Sequence, residues 1–176
     1  MKLYFITGNA GKFEEAKGVI PELELLDIDL PEIQDIDPEM IITAKLEAAF
    51  EYHDGPFIVE DTSLSFDCLN GLPGPLVKWF IKSIGNRGLY DLANHYQNFG
   101  ATASSHVGYA KNRDDIRFFR NSLRGTISSV AGSNGFGWDE IFTPEGHTKT
   151  FAEMTPNEYL PLRMRRKALE ELAQAL

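Results

Sequence analysis

A single cysteine, Cys68, is all the thiol this sequence contains. No internal disulfide can form, and no thiolate cage for a metal can be assembled. With no base in view to activate it, Cys68 is expected as a small buried hydrophobe. Long apolar runs are missing too: none approaches the roughly 20 residues of a bilayer span. The first one, Leu3–Ile6, is too short for the core of a signal peptide. Positive charge is scarce, with 17 Lys and Arg against 26 Asp and Glu and a net charge of −9. A field of that sign repels polyanions, which excludes a general nucleic-acid or anionic-membrane binder. The four histidines, His53, His95, His106 and His147, are scattered, and there is no G-x-S-x-G nucleophile motif. These absences point to a soluble, cytoplasmic protein, for which a small anionic substrate stays open where local lysines and a divalent cation outweigh the field.

What is present is the composition of an ordinary folded chain. Of 176 residues, 43% are hydrophobic and 24% charged, enough to bury about 70% of the unfolded surface as one domain over residues 1–176. The first half alternates strand and helix signals. Lys2–Thr7 reads as a strand, Asn9 as the cap of a helix stopped at Pro21, and Leu23–Ile28 as a second strand. Asp37-Pro38 caps a helix running to about His53. Phe57-Ile58-Val59 reads as a buried strand ending in Glu60-Asp61. After the stiff turn Gly71–Pro75 come two amphipathic helices, near Leu76–Ile84 and Leu89–Asn98. The second half is richer in β-branched and aromatic residues. Thr102–Ala110 and Ile116–Val130 predict a long antiparallel pair turning at Asn112-Arg113-Asp114. Thr155-Pro156-Asn157-Glu158 has capping-box spacing and starts a terminal helix that Pro161 should kink or restart. The class is α/β with a mixed sheet flanked by helices.

Five constellations could carry chemistry. Thr7-Gly8-Asn9-Ala10-Gly11-Lys12 joins a strand to a helix, where unpaired N–H groups and the dipole attract an anion and Lys12 adds a full charge. It is not a P-loop, and a helix cap with a solvated lysine is the plain alternative. Lys45 emerges from a stripe shared with Ile41, Ala48 and Tyr52, either to snorkel to water or to meet phosphate oxygens. Glu60-Asp61-Thr62 places two carboxylates side by side. Successive strand residues face opposite ways, so the pair should not bind as one bidentate ligand. One can hold a cation while the other orients a lysine or water, at the strand end where open α/β sheets collect ligands. Glu32 could add a second oxygen ligand, a donor set suited to Mg²⁺. Lys78, beside Trp79 and Phe80, is aimed by the turn before it. Phe136 and Trp138, in a glycine-flanked loop, can stack on a planar base while Asp139 accepts hydrogen bonds from ring N–H groups, or both aromatics belong to the core. The basic run Arg163, Arg165, Arg166 and Lys167 reads as a solvated face or as an arginine reaching a ligand.

Taken in order, Thr-Gly-Asn-x-x-Lys at 7–12, Leu-Pro-Glu-x-Gln at 30–34, Val-Glu-Asp-Thr at 59–62, Gly-Leu-Pro-Gly-Pro-x-x-Lys-Trp-Phe at 71–80, Phe-Gly-Trp-Asp at 136–139 and Phe-Ala-Glu-Met at 151–154 resemble the inosine triphosphate pyrophosphatase (Ham1-like) family. The likeness spans nearly the whole chain and is nearest to eukaryotic-type members. It implies an elongated mixed sheet in two lobes with a central active-site cleft, usually as a homodimer. It also implies Mg²⁺-dependent hydrolysis of noncanonical purine nucleoside triphosphates (ITP, dITP, XTP) to monophosphate and pyrophosphate, with Mn²⁺ as a possible substitute. On that reading Thr7, Asn9, Lys12, Lys45 and Thr62 cradle the substrate. Glu32 and Asp61 hold the metal, Glu60 supports the acidic cluster, and Lys78 neutralises phosphate charge. Phe136, Trp138 and Asp139 enclose the base, with Arg165 reading it. Three lysines plus the cation then outnumber the roughly four negative charges of a nucleoside triphosphate.

The sequence departs from the family at one segment. The Ser-His-Arg of the family falls on Arg163-Met164-Arg165, and a lysine six residues earlier is Tyr159. The same reaction with a shifted base preference, and a nucleotide-binding protein without turnover, are the alternatives.

Overall fold

The computed structural model describes residues 2–176. Seven strands form one sheet: β1 (Tyr4–Ile6), β2 (Glu24–Leu26), β3 (Phe57–Phe66), β4 (Pro73–Gly74), β5 (Gly100–Asn112), β6 (Asp115–Ile127) and β7 (Phe142–Pro144). Their order is β2-β1-β3-β5-β6-β7, with β4 paired to β3. Strands β1, β2 and β3 are parallel neighbours, whereas β4 and β7 pair antiparallel. The two residues between β5 and β6 allow only an antiparallel hairpin, and Asn112 Oδ1 accepts the amides of Asp114 and Asp115 there. The mixed α/β class expected from the sequence is what the chain forms.

The helices are α1 (Ala10–Lys17), α2 (Pro38–Ala49), α3 (Val77–His95), α4 (Pro156–Tyr159) and α5 (Met164–Ala175). The caps read from the sequence are in place. Asn9 accepts the Lys12 amide, Asp37 accepts the Glu39 amide ahead of Pro38, and Thr155 and Glu158 form a reciprocal capping box. Within α3 the backbone leaves helical geometry at Gly85 (φ 68°), so two helices meet at a break, as the two separate helical signals imply. Pro161 ends α4 after one turn, and the chain restarts as α5 at Met164. Cys68 is half-buried, not buried, and burial pushes its thiol up, away from a reactive thiolate.

The chain divides into two compact units. The first comprises the chain through Thr62 with Ser105–Asn121 and Met164–Leu176, and the second comprises Ser63–Ser104 and Ser122–Arg163. In the first, Leu3, Phe5, Ile58, Val107 and Tyr109 pack on one sheet face against Ala16 of α1 and Ala168, Leu169 and Leu172 of α5. On the other face Ile6, Phe57, Val59 and Ala110 pack against Ile42, Leu46 and Ala49 of α2. Each fully buried Leu or Ile contributes roughly 2 kcal/mol. Gly108 lets α2 come close, because a Cβ there would lie 2.4 Å from Ile42 Cγ2. In the second unit, Trp138, Phe142 and Phe151 form an aromatic cluster with ring centroids 5.5–6.4 Å apart.

Candidate active site

The alternation of β3 sorts the acidic pair. Ile58, Glu60 and Thr62 point to the α1/α5 face, and Phe57, Val59 and Asp61 point to the α2 face. The pair does not end the strand, as expected from sequence, since β3 continues to Phe66. What ends is its parallel neighbour. Register matches Phe5 to Ile58, and β1 stops at Ile6 to turn into α1. Glu60 and Asp61 therefore lie just past the carboxyl end of β1, beside the Thr7–Lys12 turn.

On the α1/α5 side Glu60 is 5% exposed and anchors a network. Its Oε2 lies 2.7 Å from Lys12 Nζ. Its Oε1 accepts the Thr62 hydroxyl (2.6 Å), the Ser105 hydroxyl (2.8 Å) and Arg165 Nε (3.2 Å). Arg165 also donates to Glu15 and to Thr62. Burial alone would push the Glu60 carboxyl up, but Arg165, Lys12 and these hydrogen bonds outweigh it and hold the group well below the ordinary carboxylate range. Glu60 is held ionised by these partners and orients Lys12.

On the α2 side Lys45 is 6% exposed and does not snorkel. Its ammonium bridges Glu32 Oε1 (3.0 Å) and Asp61 Oδ1 (3.3 Å). Burial lowers its affinity for the proton, yet Asp61 and Glu32 together raise it above the ordinary lysine value. The Asp61 carboxyl is raised by burial and by the Glu60 charge, and Lys45 and Lys12 offset this only in part. Asp61 Oδ2 is buried without a hydrogen-bond partner. Such an atom is costly unless something else pairs with it. Among the described residues no three Asp, Glu, His or Cys side chains converge. Two carboxylates, one with an orphaned oxygen, fit Mg²⁺, which keeps waters and takes its remaining ligands from phosphate.

The turn before α1 is built as expected. Thr7 Oγ1 accepts the Asn9 amide at 3.1 Å, and Asn9 Oδ1 accepts the Lys12 amide at 3.1 Å. Electrostatically the cluster is not positive by itself. Lys12, Lys45 and Arg165 face Glu15, Glu32, Glu60 and Asp61. The expectation that lysines and one cation outnumber the charge of a nucleoside triphosphate omitted these carboxylates.

The second unit holds the remaining sequence-derived residues. Lys78 is exposed in the first turn of α3, 5.7 Å from the Trp79 ring centroid, and Lys82 lies 5.5 Å from the same ring. Phe136 is 39% exposed, whereas Trp138 is buried in the aromatic cluster. Asp139, expected to face a base, is 2% exposed and paired at 2.7 Å through both oxygens with Arg163. Arg165, expected to read the base, is buried in the first unit between Glu15 and Glu60. Sequence reasoning did not single out Glu15, Ser105, or the pairing of Arg163 with Asp139. Ser105 carried a signal, because it is the polar position among Ala101, Ala103, Val107 and Tyr109 on the buried face of β5. Nothing local marked the other two.

The architecture has counterparts among solved structures: the HAM1 protein of Coxiella burnetii superposes with a TM-score of 0.79 at 21% identity, covering 99% of this chain and 98% of that one. That likeness defines the fold class alone. Sequence comparison defines the family. The profile of the Ham1 family matches residues 3–175. The inosine triphosphate pyrophosphatase of Schizosaccharomyces pombe is 42% identical over 160 residues, 89% of this chain and 85% of the relative. The dITP/XTP pyrophosphatase of Methanopyrus kandleri is 38% identical over 179 residues, 99% and 95% of the two chains. The chain belongs to the Ham1 family.

Proposed function

We propose that this protein hydrolyses noncanonical purine nucleoside triphosphates, ITP, dITP and XTP, to the monophosphate and pyrophosphate. The observation that carries the reading is Lys45 held between Glu32 and Asp61, with Asp61 Oδ2 left unpartnered beside the Asn9-capped start of α1. The names of the two relatives, each aligned over most of this chain, support the substrate class.

In this reading Glu32 and Asp61 hold Mg²⁺, or Mn²⁺ in its place, which supplies charge neutralisation and Lewis acidity at the phosphates. Lys12 and Lys45 exchange part of their carboxylate contact for phosphate oxygens, and Thr7, Asn9 and the first amides of α1 add donors. Glu60 stays ionised and keeps Lys12 aimed. Its depressed proton affinity makes it a poor base. Phosphoryl chemistry asks for this kind of positioning and charge neutralisation more than for covalent help. In the second unit Lys78 neutralises phosphate charge and Phe136 supplies the ring on which the base stacks. Trp138 and Asp139 shape that loop, and Arg165 acts through Glu60 and Thr62. The protein works in the cytoplasm as a homodimer, which sedimentation analysis would test.

The test is product analysis with purified protein and Mg²⁺ on ITP, XTP, dITP, ATP, GTP and the pyrimidine triphosphates. Monophosphate with pyrophosphate, fastest from ITP or XTP, is the expected result. Diphosphate with orthophosphate would overturn the reaction, and no turnover at all would leave a nucleotide-binding protein.

A further inference from the structure

Arg163 and Tyr159 meet in the structure. The Arg163 guanidinium carbon lies 4.4 Å from the Phe151 ring centroid and 4.8 Å from that of Tyr159. Its two terminal nitrogens donate to the two Asp139 oxygens, each at 2.7 Å. Asp139 Oδ2 in turn accepts the Phe136 amide at 2.9 Å. The loop that carries Phe136 is held elsewhere as well. Asn86, next to the Gly85 break in α3, donates to the Gly137 carbonyl at 2.8 Å and to Glu140 at 3.0 Å. The Ser133 and Asn134 amides donate to the Ala152 carbonyl. Gly132 and Gly135 adopt φ of 83° and 81°, and a Cβ would strike the Ala152 backbone at one and the Asp139 carboxylate at the other.

This arrangement is not explained by stability. A buried ion pair is weak grounds for stabilisation, and Arg163 Nε is buried without an acceptor, which costs free energy. What the pair supplies is geometry: a bidentate, doubly stacked arginine fixes Asp139, and Asp139 fixes the backbone of an exposed aromatic residue. We propose that Arg163, clamped between Phe151 and Tyr159 and paired with Asp139, is a positioning residue that holds Phe136 rigid for stacking on the substrate's base. The inference rests on the pyrophosphatase reading for its functional half, while the clamp stands on the loop's own geometry.

The experiment measures amide hydrogen exchange at Phe136 together with kcat and KM for ITP and ATP, in wild type and in Arg163→Ala, Arg163→Lys, Tyr159→Leu and Asp139→Ala. Exchange at Phe136 should speed up at least tenfold in Arg163→Ala and Asp139→Ala, and less in Tyr159→Leu. KM for both triphosphates should rise about tenfold with kcat within threefold, because uniform binding is lost and the reacting groups are untouched. Arg163→Lys should not rescue either readout, since an ammonium neither forms the fork nor stacks flat. The Arg163→Ala/Asp139→Ala double variant should be no worse than either single one. If Arg163→Ala does not fold, the Lys and Leu variants carry the test. Unchanged Phe136 exchange overturns the clamp, and faster exchange with unchanged KM overturns its role in binding. A wild type that turns over no triphosphate would sink the pyrophosphatase reading, and the exchange data would still decide the clamp.

Discussion

Glu60 and Asp61 are adjacent in sequence and stand on opposite faces of β3, and their carboxyls are displaced in opposite directions. Glu60 is surrounded by Arg165, Lys12 and two hydroxyls and is held ionised. Asp61 shares one lysine and keeps an orphaned oxygen. One peptide unit thus separates an anion that organises cations from one left open to a ligand.

Asp61→Asn keeps the size of the side chain and removes the charge that a metal needs. Turnover of ITP should fall on the order of 10³-fold, equivalent to about 4 kcal/mol of barrier, with a circular dichroism spectrum like that of wild type. Turnover within tenfold of wild type would remove Asp61 from the reacting centre.

Chelation should abolish hydrolysis, and added Mg²⁺ should restore it, because the carboxylates around Lys12 and Lys45 outnumber the cations that offset them. Full activity in excess EDTA would contradict the metal assignment.

Glu60→Ala leaves Arg165 and Lys12 without their shared carboxylate in a buried setting. Removing one partner of such a network costs about 3–5 kcal/mol, so urea unfolding should shift to clearly lower denaturant. Glu60→Gln retains some hydrogen bonds and should lie between the two. A stability equal to wild type in the Ala variant would show that the network contributes little.

Gly108→Ala pushes a methyl into Ile42 and Leu46. Overpacking of this kind costs about 1–3 kcal/mol. Because α2 carries Lys45, the variant should also lose affinity for the triphosphate. Unaltered melting and KM would mean that α2 shifts without consequence.

Glu158 is pulled down to about 2 by Lys149 and by the Thr155 amide and hydroxyl. Its folded value lies below the ordinary 4.5, so its stabilising contribution is complete above that pH and is lost as pH falls toward 2. Glu158→Gln should be less stable than wild type at about pH 7, and the gap should narrow as pH falls below about 4.5 and close below about pH 2. A gap of constant size would show that the capping bond, not the charge, carries the effect.

Local physics made much of this molecule readable from its residues. Asn9, Asp37-Pro38 and Thr155–Glu158 mark helix starts because a cap is satisfied within four residues. The period-two alternation of β3 already put Glu60 and Asp61 on opposite faces. What no local pattern contains is pairing across long stretches of chain. Strand β3 runs on past Asp61 because Leu64 and Ser65 find partners in β4. Glu60 meets Ser105 and Arg165 only because the sheet and α5 bring them together, and Asp139 meets Arg163 only through the folding of the second unit. Arg163 and Arg165, two residues apart in one basic run, consequently take up buried carboxylates in different units. The sequence by itself determined the elements, their caps and the inventory of charged groups. The tertiary structure decided which charge neutralises which, because a buried ion's partner is chosen by distance and desolvation, and neither is a property of neighbouring residues.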